Sequence, residues 1–261
     1  VRKEILSLNE EQNNLTRELH KKNAQLEVLN QEKNQFLGMA AHDLRKPVGL
    51  ILSYSDFLLD EAADTLSDEH IGFLNTIQKS CTFMKRIIDD FLDISAIEAG
   101  KFDLDLRPAS LNNVLEQGLR LNMLQAAKKE VDLLVNSENP LPRMLIDPSK
   151  IEQVITNLVS NAIEHTQPST KVRVDVCTTP EEICFSIKDN GPGIPEKELN
   201  KLFKPFEKTS VKKTGGEKST GLGMLITRKI IEAHQGKIWV ESTVNVGTQV
   251  FFSLPISGGA A

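Results

Sequence analysis

The sequence predicts an α+β protein in two parts: a coiled coil leading into a helical hairpin, then an α/β sandwich. Three observations carry this. Of 11 prolines only Pro47 lies within residues 1–107, and only three of the 15 glycines precede Gly100. The first hundred residues can therefore be long helices. Apolar residues there recur at spacings of three and four, the period of a helix. From Pro108 onward, turn residues are frequent and short alternating runs read as strands.

Ile5, Leu8, Gln12, Leu15, Leu19, Lys22, Leu26, Leu29, Lys33 and Phe36 form a heptad seam with polar interruptions. A seam this narrow predicts a dimeric coiled coil over 1–34 rather than a globular helix. The helix is expected to run on through His42 and Leu50 to about Leu59. The loop "DEAADTLSDE" follows, Ser67 caps a second helix and Gly100 ends it. Leu74, Ile77, Cys81, Met84, Ile88 and Phe91 repeat the spacing. Residues 35–100 thus predict a helical hairpin, and two chains would complete a four-helix bundle.

Residues 101–256 predict a separate α/β domain. "FDLDL" reads as a strand, and Ser110 caps a helix to about Lys128. "VDLLV" and "RMLI" are strand-like. Asp147-Pro148 opens a helix to about Glu164. "KVRVDVC" and "EICFSIKD" are paired strands, a helix starts near Thr220, and "KIWVES" with "TQVFFSLP" closes the domain. The tail 257–261 is expected to be disordered.

Composition excludes several classes. Hydrophobic residues are 39% and charged residues 26% of the 261, with a net charge of −5. That fits a globular chain and gives no electrostatic case for nucleic acid. Cys81, Cys177 and Cys184 are too few and scattered for a disulfide framework or a zinc site, and read as reduced packing residues. No apolar run of 18 residues and no signal peptide is visible. A cytoplasmic piece without direct membrane contact is expected. It begins at Val1 and is at once helical, as a fragment of a longer protein would be, so a sensor domain or membrane anchor upstream stays open.

Chemistry-bearing residues cluster in four places. "AAHDLRKPVG" (40–49) sets His42 beside Asp43 on a helix, with Pro47 five residues on. Pro47 has no N–H, so the carbonyl of Asp43 loses its helical partner and a local bend is expected. "DNGPGIP" (189–195) follows a strand. Asp189 at the strand end can accept from an amino group, and Gly191 and Gly193 allow a tight turn and close approach of a ligand. "GGEKSTGLGM" (215–224) precedes a helix; Gly221 and Gly223 bare N–H groups at its start, an anion site. It satisfies neither the P-loop nor the dinucleotide pattern. "NLVSNAIEHT" (157–166) puts Asn157 and Asn161 on one helix face, where an amide oxygen suits Mg²⁺ already bound to phosphates. The run from Phe203 to Ser219, with Lys204, Lys208, Lys212, Lys213 and Lys218, reads as a basic flap.

These motifs in this order resemble the ATP-binding fold of sensor histidine kinases, Hsp90-type chaperones, type II topoisomerases and mismatch-repair ATPases. "FLGMAAHDLRKPVG" narrows the resemblance to bacterial two-component sensor histidine kinases, together with "LFKPF", "TGLGM" and "HQGKIWVESTVNVGTQVFFSLP". It covers the chain from about residue 34. The resemblance implies autophosphorylation of His42 by ATP within a homodimer, then phosphoryl transfer to an Asp of a response regulator. It gives His42 the role of nucleophile and Asp43 that of base, holding the imidazole in the Nδ1–H tautomer. The implied ATP-binding set is Asn157, Asn161, His165, Asp189, Gly191, Gly193, Phe203, Lys208, Thr220, Gly221, Leu222 and Gly223. Asp189 would read the adenine amino group, Asn161 would hold Mg²⁺, and Phe203 and Phe206 would anchor the flap to the domain or the bundle.

Two positions depart from the family. Lys46 stands where Thr or Asn often positions water, so phosphatase activity toward the partner is expected to be weak or absent. Glu164 replaces a usual basic residue near the phosphates and is expected to repel ATP. A non-kinase ATPase of the same superfold and a degenerate dimeric scaffold remain alternatives.

Overall fold

The computed structural model describes residues 2–62, 65–99, 102–138, 140–207, 209–211, 214 and 220–256; for residues 2–11, 27, 31 and 98 only the backbone is described. The chain divides into two compact units, residues 1–102 and 103–261. Lys208, Lys212, Lys213, Lys218, Gly100, the tail 257–261 and the side chains of Ile5 and Leu8 lie outside the described residues.

The first unit is a hairpin of α1 (Arg2–Ala62) and α2 (Asp68–Glu98). Helix α1 continues without interruption through Pro47. Ser67 caps α2 as its residue type predicts, its hydroxyl accepting from the His70 N–H at 3.3 Å, and Asp68 and Glu69 complement the helix dipole. At the other end the C-cap is Ala99, one residue before the expected glycine. The hairpin core is a small cluster of Ala41, Val48, Cys81 and Ile88, flanked by Leu52 and Leu92. Arg45 donates to Asp89 at 2.6 Å across the two helices. Leu50, Tyr54, Phe57, Phe73, Ile77 and Met84 remain exposed, as do Leu15, Leu19, Leu26, Leu29 and Phe36 along the heptad seam.

The elements of the second unit are β1 (Arg107–Ser110), α3 (Leu111–Lys128), β2 (Asp132–Ser137), β3 (Arg143–Ile146), α4 (Pro148–His165), β4 (Lys171–Thr178), β5 (Glu182–Asp189), α5 (Glu196–Leu199), α6 (Gly223–Ala233), β6 (Lys237–Thr243) and β7 (Gly247–Pro255). They form one mixed sheet, ordered β2-β4-β5-β7-β6, and a two-stranded sheet of β1 and β3. Strands β2 and β4 are parallel; the other pairs are antiparallel. Alternate residues Val172, Val174, Val176, Ile183, Phe185, Ile187, Phe252 and Leu254 are buried. Their period of two gives the sheet one apolar face, which α4 and α6 cover to make a two-layer sandwich. Phe185 and Phe252 stack at 4.4 Å within it.

Two expected elements shift. "FDLDL" is irregular, and the strand is Arg107–Ser110 instead. Its partner β3 has only four residues and stops at the cap of α4, so nothing pairs with 102–106. The Asp105 N–H is taken by the Asp147 carboxylate at 3.1 Å. Helix α6 begins at Gly223 rather than near Thr220, because the Thr220 hydroxyl accepts from the Leu222 N–H in a turn. Ser110 does precede α3, but its side chain makes no cap hydrogen bond.

Asp147 and Pro148 start α4 as expected. The Asp147 Oδ1 accepts from the N–H groups of Ser149 and Lys150 at 3.1 Å each. Burial works to raise its pKa, but the Ser149 hydroxyl and the N–H groups of Lys150, Asp105 and Ser149 together hold it below the usual value. The Asp147 N–H in turn donates to Nε2 of His234, whose Nδ1 donates to the Ile230 carbonyl at 2.8 Å. A protonated ring has no lone pair for the Asp147 N–H, so the fold requires neutral His234. Burial lowers its pKa below 6.5, against the raising effects of the Ile230 carbonyl and the Asp147 charge. The unfolded chain therefore takes up this proton first. Stability contributed by neutral His234 is full above about pH 6.5 and falls as pH drops toward the lower folded value. The expected result is a thermal midpoint that declines from pH 7 to 5.5 in the wild type. His234→Gln should flatten that decline, and an unchanged slope would count against the assignment.

Candidate functional site

In the second unit helix α4 touches both glycine clusters, at His165 and at Asn157. Asp189 closes β5 and is 7% exposed. Its Oδ1 accepts from the N–H groups of Gly191 at 2.8 Å and Thr248 at 3.1 Å. Burial raises its pKa, and these two donors oppose the rise. The carboxylate is thus aimed by the backbone on both sides. The Thr248 donor comes from 59 residues away and carries no sequence signal.

The turn after Asp189 is held against the β6–β7 turn. Asn245 N donates to the Pro192 carbonyl at 2.7 Å, and Ile194 N to the Ser242 hydroxyl at 2.8 Å. A Cβ on Gly193 (φ +68°) would lie 2.0 Å from the Thr243 carbonyl oxygen. One on Gly191 would lie 2.8 Å from the carbonyl oxygen of His165. His165 ends α4, so this contact brings the end of the asparagine helix against the Asp189 turn.

Helix α4 meets α6 at the other glycine cluster. A Cβ on Gly223 would sit 2.6 Å from Nδ2 of Asn157. That amide donates to the buried Thr227 hydroxyl at 3.0 Å. Asn157 therefore binds the two helices together, a role its residue type alone did not reveal. Asn161 lies one turn further on the same face and is half-buried. Gly221 has φ +74°, and the buried Leu222 is the N-cap of α6. The Phe203 ring lies 5.6 Å from the Arg228 guanidinium of α6, a contact that ties the start of the flap run to its own domain. Phe206 is 63% exposed.

Glu164 has a buried side chain. Its carbonyl accepts from Lys129 Nζ at 2.8 Å and from the Thr214 N–H at 3.0 Å. Lys129, Thr214, Thr227 and Thr248 all escape a motif reading, because each acts through main-chain geometry or a partner distant in sequence.

In the first unit His42 and Asp43 are exposed on α1, with Nδ1 and Oδ1 3.2 Å apart. Neighbouring Ala41 is buried in the hairpin core, which fixes the rotation that turns His42 outward. With Asp43 accepting from Nδ1–H, Nε2 keeps its lone pair.

Two family models match: the "His Kinase A (phospho-acceptor) domain" over residues 32–100, and the "Histidine kinase-, DNA gyrase B-, and HSP90-like ATPase" over residues 146–258. The solved catalytic domain of the histidine kinase ThkA is 34% identical with a TM-score of 0.52, over 59% of this chain and 97% of that domain. The chain belongs to the histidine kinases. Among curated histidine kinases, the circadian input-output kinase CikA of Synechococcus elongatus is 33% identical over 244 residues, 92% of this chain and 32% of its own length. The chain thus spans about a third of that relative. The structure of ThkA in complex with the response regulator protein TrrA is 26% identical with a TM-score of 0.58, over 85% of this chain and 61% of that one. Among the described residues, no helix of this histidine kinase is long and apolar enough to cross a membrane.

Proposed function

We propose that this chain is the kinase core of a two-component sensor. It binds Mg-ATP in the second unit, phosphorylates His42, and passes the phosphoryl group to an aspartate of a separate response regulator. The observation that carries this reading is the outward-facing His42, its Nδ1 beside Asp43 and its Nε2 left as the nucleophile. In this scheme Nε2 attacks the γ-phosphorus, the bond to the bridging oxygen of ADP breaks, and Asp43 holds or takes the Nδ1 proton.

The nucleotide would place its adenine amino group against Asp189 and its phosphates toward Gly221 and Gly223. Asn161 fits a Mg²⁺ ion that arrives with the triphosphate, since a neutral amide needs no further charge. Magnesium would supply charge neutralisation at the transferring phosphoryl group.

The partners follow from exposed surface and kinship. Leu50, Tyr54, Phe57, Phe73, Ile77 and Met84, each about half exposed, would contribute roughly 1 kcal/mol apiece on burial against a second copy. The ThkA complex with a response regulator protein supports a regulator docking on this chain as well.

The test uses γ-labelled Mg-ATP with wild type, His42→Gln and Asn161→Ala. Wild type should acquire an acid-labile, alkali-stable label, and both variants should lose it. Label persisting on His42→Gln would place the phosphoryl group elsewhere and defeat the reading.

A further inference from the structure

The flap is tied to the domain at two described points. Its ends meet where a Cβ on Gly221 would lie 3.2 Å from the Glu207 carbonyl oxygen and 3.3 Å from Phe206 Cα. Within the loop so closed, the Ser210 N–H and hydroxyl both donate to one oxygen of Glu198, at 2.7 and 2.9 Å. The Thr214 N–H and hydroxyl donate to the Glu164 carbonyl at 3.0 and 2.9 Å, and the hydroxyl also reaches the Thr166 carbonyl at 3.0 Å.

Glu198 is the side chain of most interest. It lies on α5, which follows the Asp189–Pro195 turn directly. The turn bears the proposed adenine contact, and the loop leads back to Gly221 at the proposed phosphate end. A surface acid in the first turn of a helix ordinarily serves only the helix dipole. Glu198 instead is 9% exposed and spends its carboxylate on the flap. We infer that Glu198 is a positioning residue for the nucleotide: by gripping Ser210 it couples the Asp189 turn to the Gly221 loop. This role rests on the nucleotide-site reading above.

The chemistry favours a carboxylate there. An ionised oxygen accepting two donors makes charge-assisted bonds stronger than neutral ones. The Ser210 N–H and then its hydroxyl push the Glu198 pKa below its ordinary value; burial opposes this, and Lys201 and Lys197 add smaller downward effects.

The test compares Glu198→Ala, Glu198→Gln, Ser210→Ala and the Glu198→Ala/Ser210→Ala pair in the full chain. Two quantities are read: the rate of tryptic cleavage at the lysines between 204 and 218, and the affinity for Mg²⁺ with a fluorescent trinitrophenyl-ATP. Glu198→Ala should speed cleavage and weaken nucleotide binding, each about fivefold or more, at an unchanged thermal midpoint. Glu198→Gln should retain most of both, because its amide oxygen still accepts. Removing the Ser210 hydroxyl should matter in wild type and not in Glu198→Ala. The inference is overturned if Glu198→Ala is cleaved and binds as wild type does. It is equally overturned if Glu198→Gln falls with Glu198→Ala and both lower the midpoint. A wild-type chain that binds no nucleotide would sink the nucleotide reading itself, and this role with it.

Discussion

Asp189→Asn should lose nucleotide affinity by about 10- to 100-fold while unfolding at pH 7 no more easily than wild type. The two effects separate because they arise on different parts of one side chain. The Gly191 and Thr248 N–H groups both fall on Oδ1, and an asparagine carbonyl oxygen can accept both. The turn geometry is then retained. The other position of the side chain becomes an NH₂ group, a donor facing the donor of an adenine amino group. Stability moves the other way. Burial raises the Asp189 pKa in the fold, so the folded chain binds this proton more tightly than the unfolded one. The ionised carboxylate therefore costs stability in full above its folded pKa; the cost shrinks as pH falls through that value and is gone only below the ordinary carboxylate pKa of 3.8. A neutral amide never carries it. Thermal unfolding beside a nucleotide titration checks both halves. Unchanged affinity would place the adenine elsewhere; a large fall in midpoint would mean that the turn needs the charge.

Gly193→Ala should instead damage the fold. Its φ of +68° disfavours any side chain, and the new methyl group would lie 2.0 Å from the Thr243 carbonyl oxygen and 2.6 Å from its carbon. Those atoms are backbone at the β6–β7 turn, so no rotamer change relieves the clash. Left-handed backbone and overpacking together should cost about 3 kcal/mol or more. That is a large part of the stability of an ordinary domain. A drop in the thermal midpoint of the second unit of roughly 6 °C or more is expected. Nucleotide binding should fall with it, since Asp189 stands at the base of the same turn. A wild-type midpoint would show that the two turns separate freely.

The sequence made the helices and most strands legible because burial imposes a period on them. The alternation of Val172, Val174 and Val176, and the spacing of Ile151, Val154, Ile155, Leu158 and Val159, are the same facts as their burial. "FDLDL" carried the right alternation without a neighbouring strand, and pattern alone does not supply a partner. The glycines of the site were legible for a related reason: left-handed backbone and close main-chain neighbours favour glycine at Gly193 and Gly221, and a Cβ at Gly223 would press on the Asn157 amide. Asn157 was read as a polar site residue, and its amide turns out to bind α4 to α6. Glu198 and Thr248 were not legible at all. One looks like a surface acid, and the other acts through its N–H, which every residue but proline possesses.

Helix α1 runs without a break from Arg2 to Ala62. At 1.5 Å per residue, about 60 Å of it lies before His42. A helix with every turn hydrogen-bonded resists torsion, so it behaves as a drive shaft. Rotation applied near its start is delivered as angular displacement at the imidazole. The compliant joint is Pro47, where one backbone bond is missing. It falls after His42 and before Val48 and Leu52, which are packed on the core. The phosphoacceptor therefore rides on the driving side of the joint together with Ala41, so a turn of the shaft that swings it must work against the Ala41 contact, while Val48 and Leu52 beyond the joint can keep their packing.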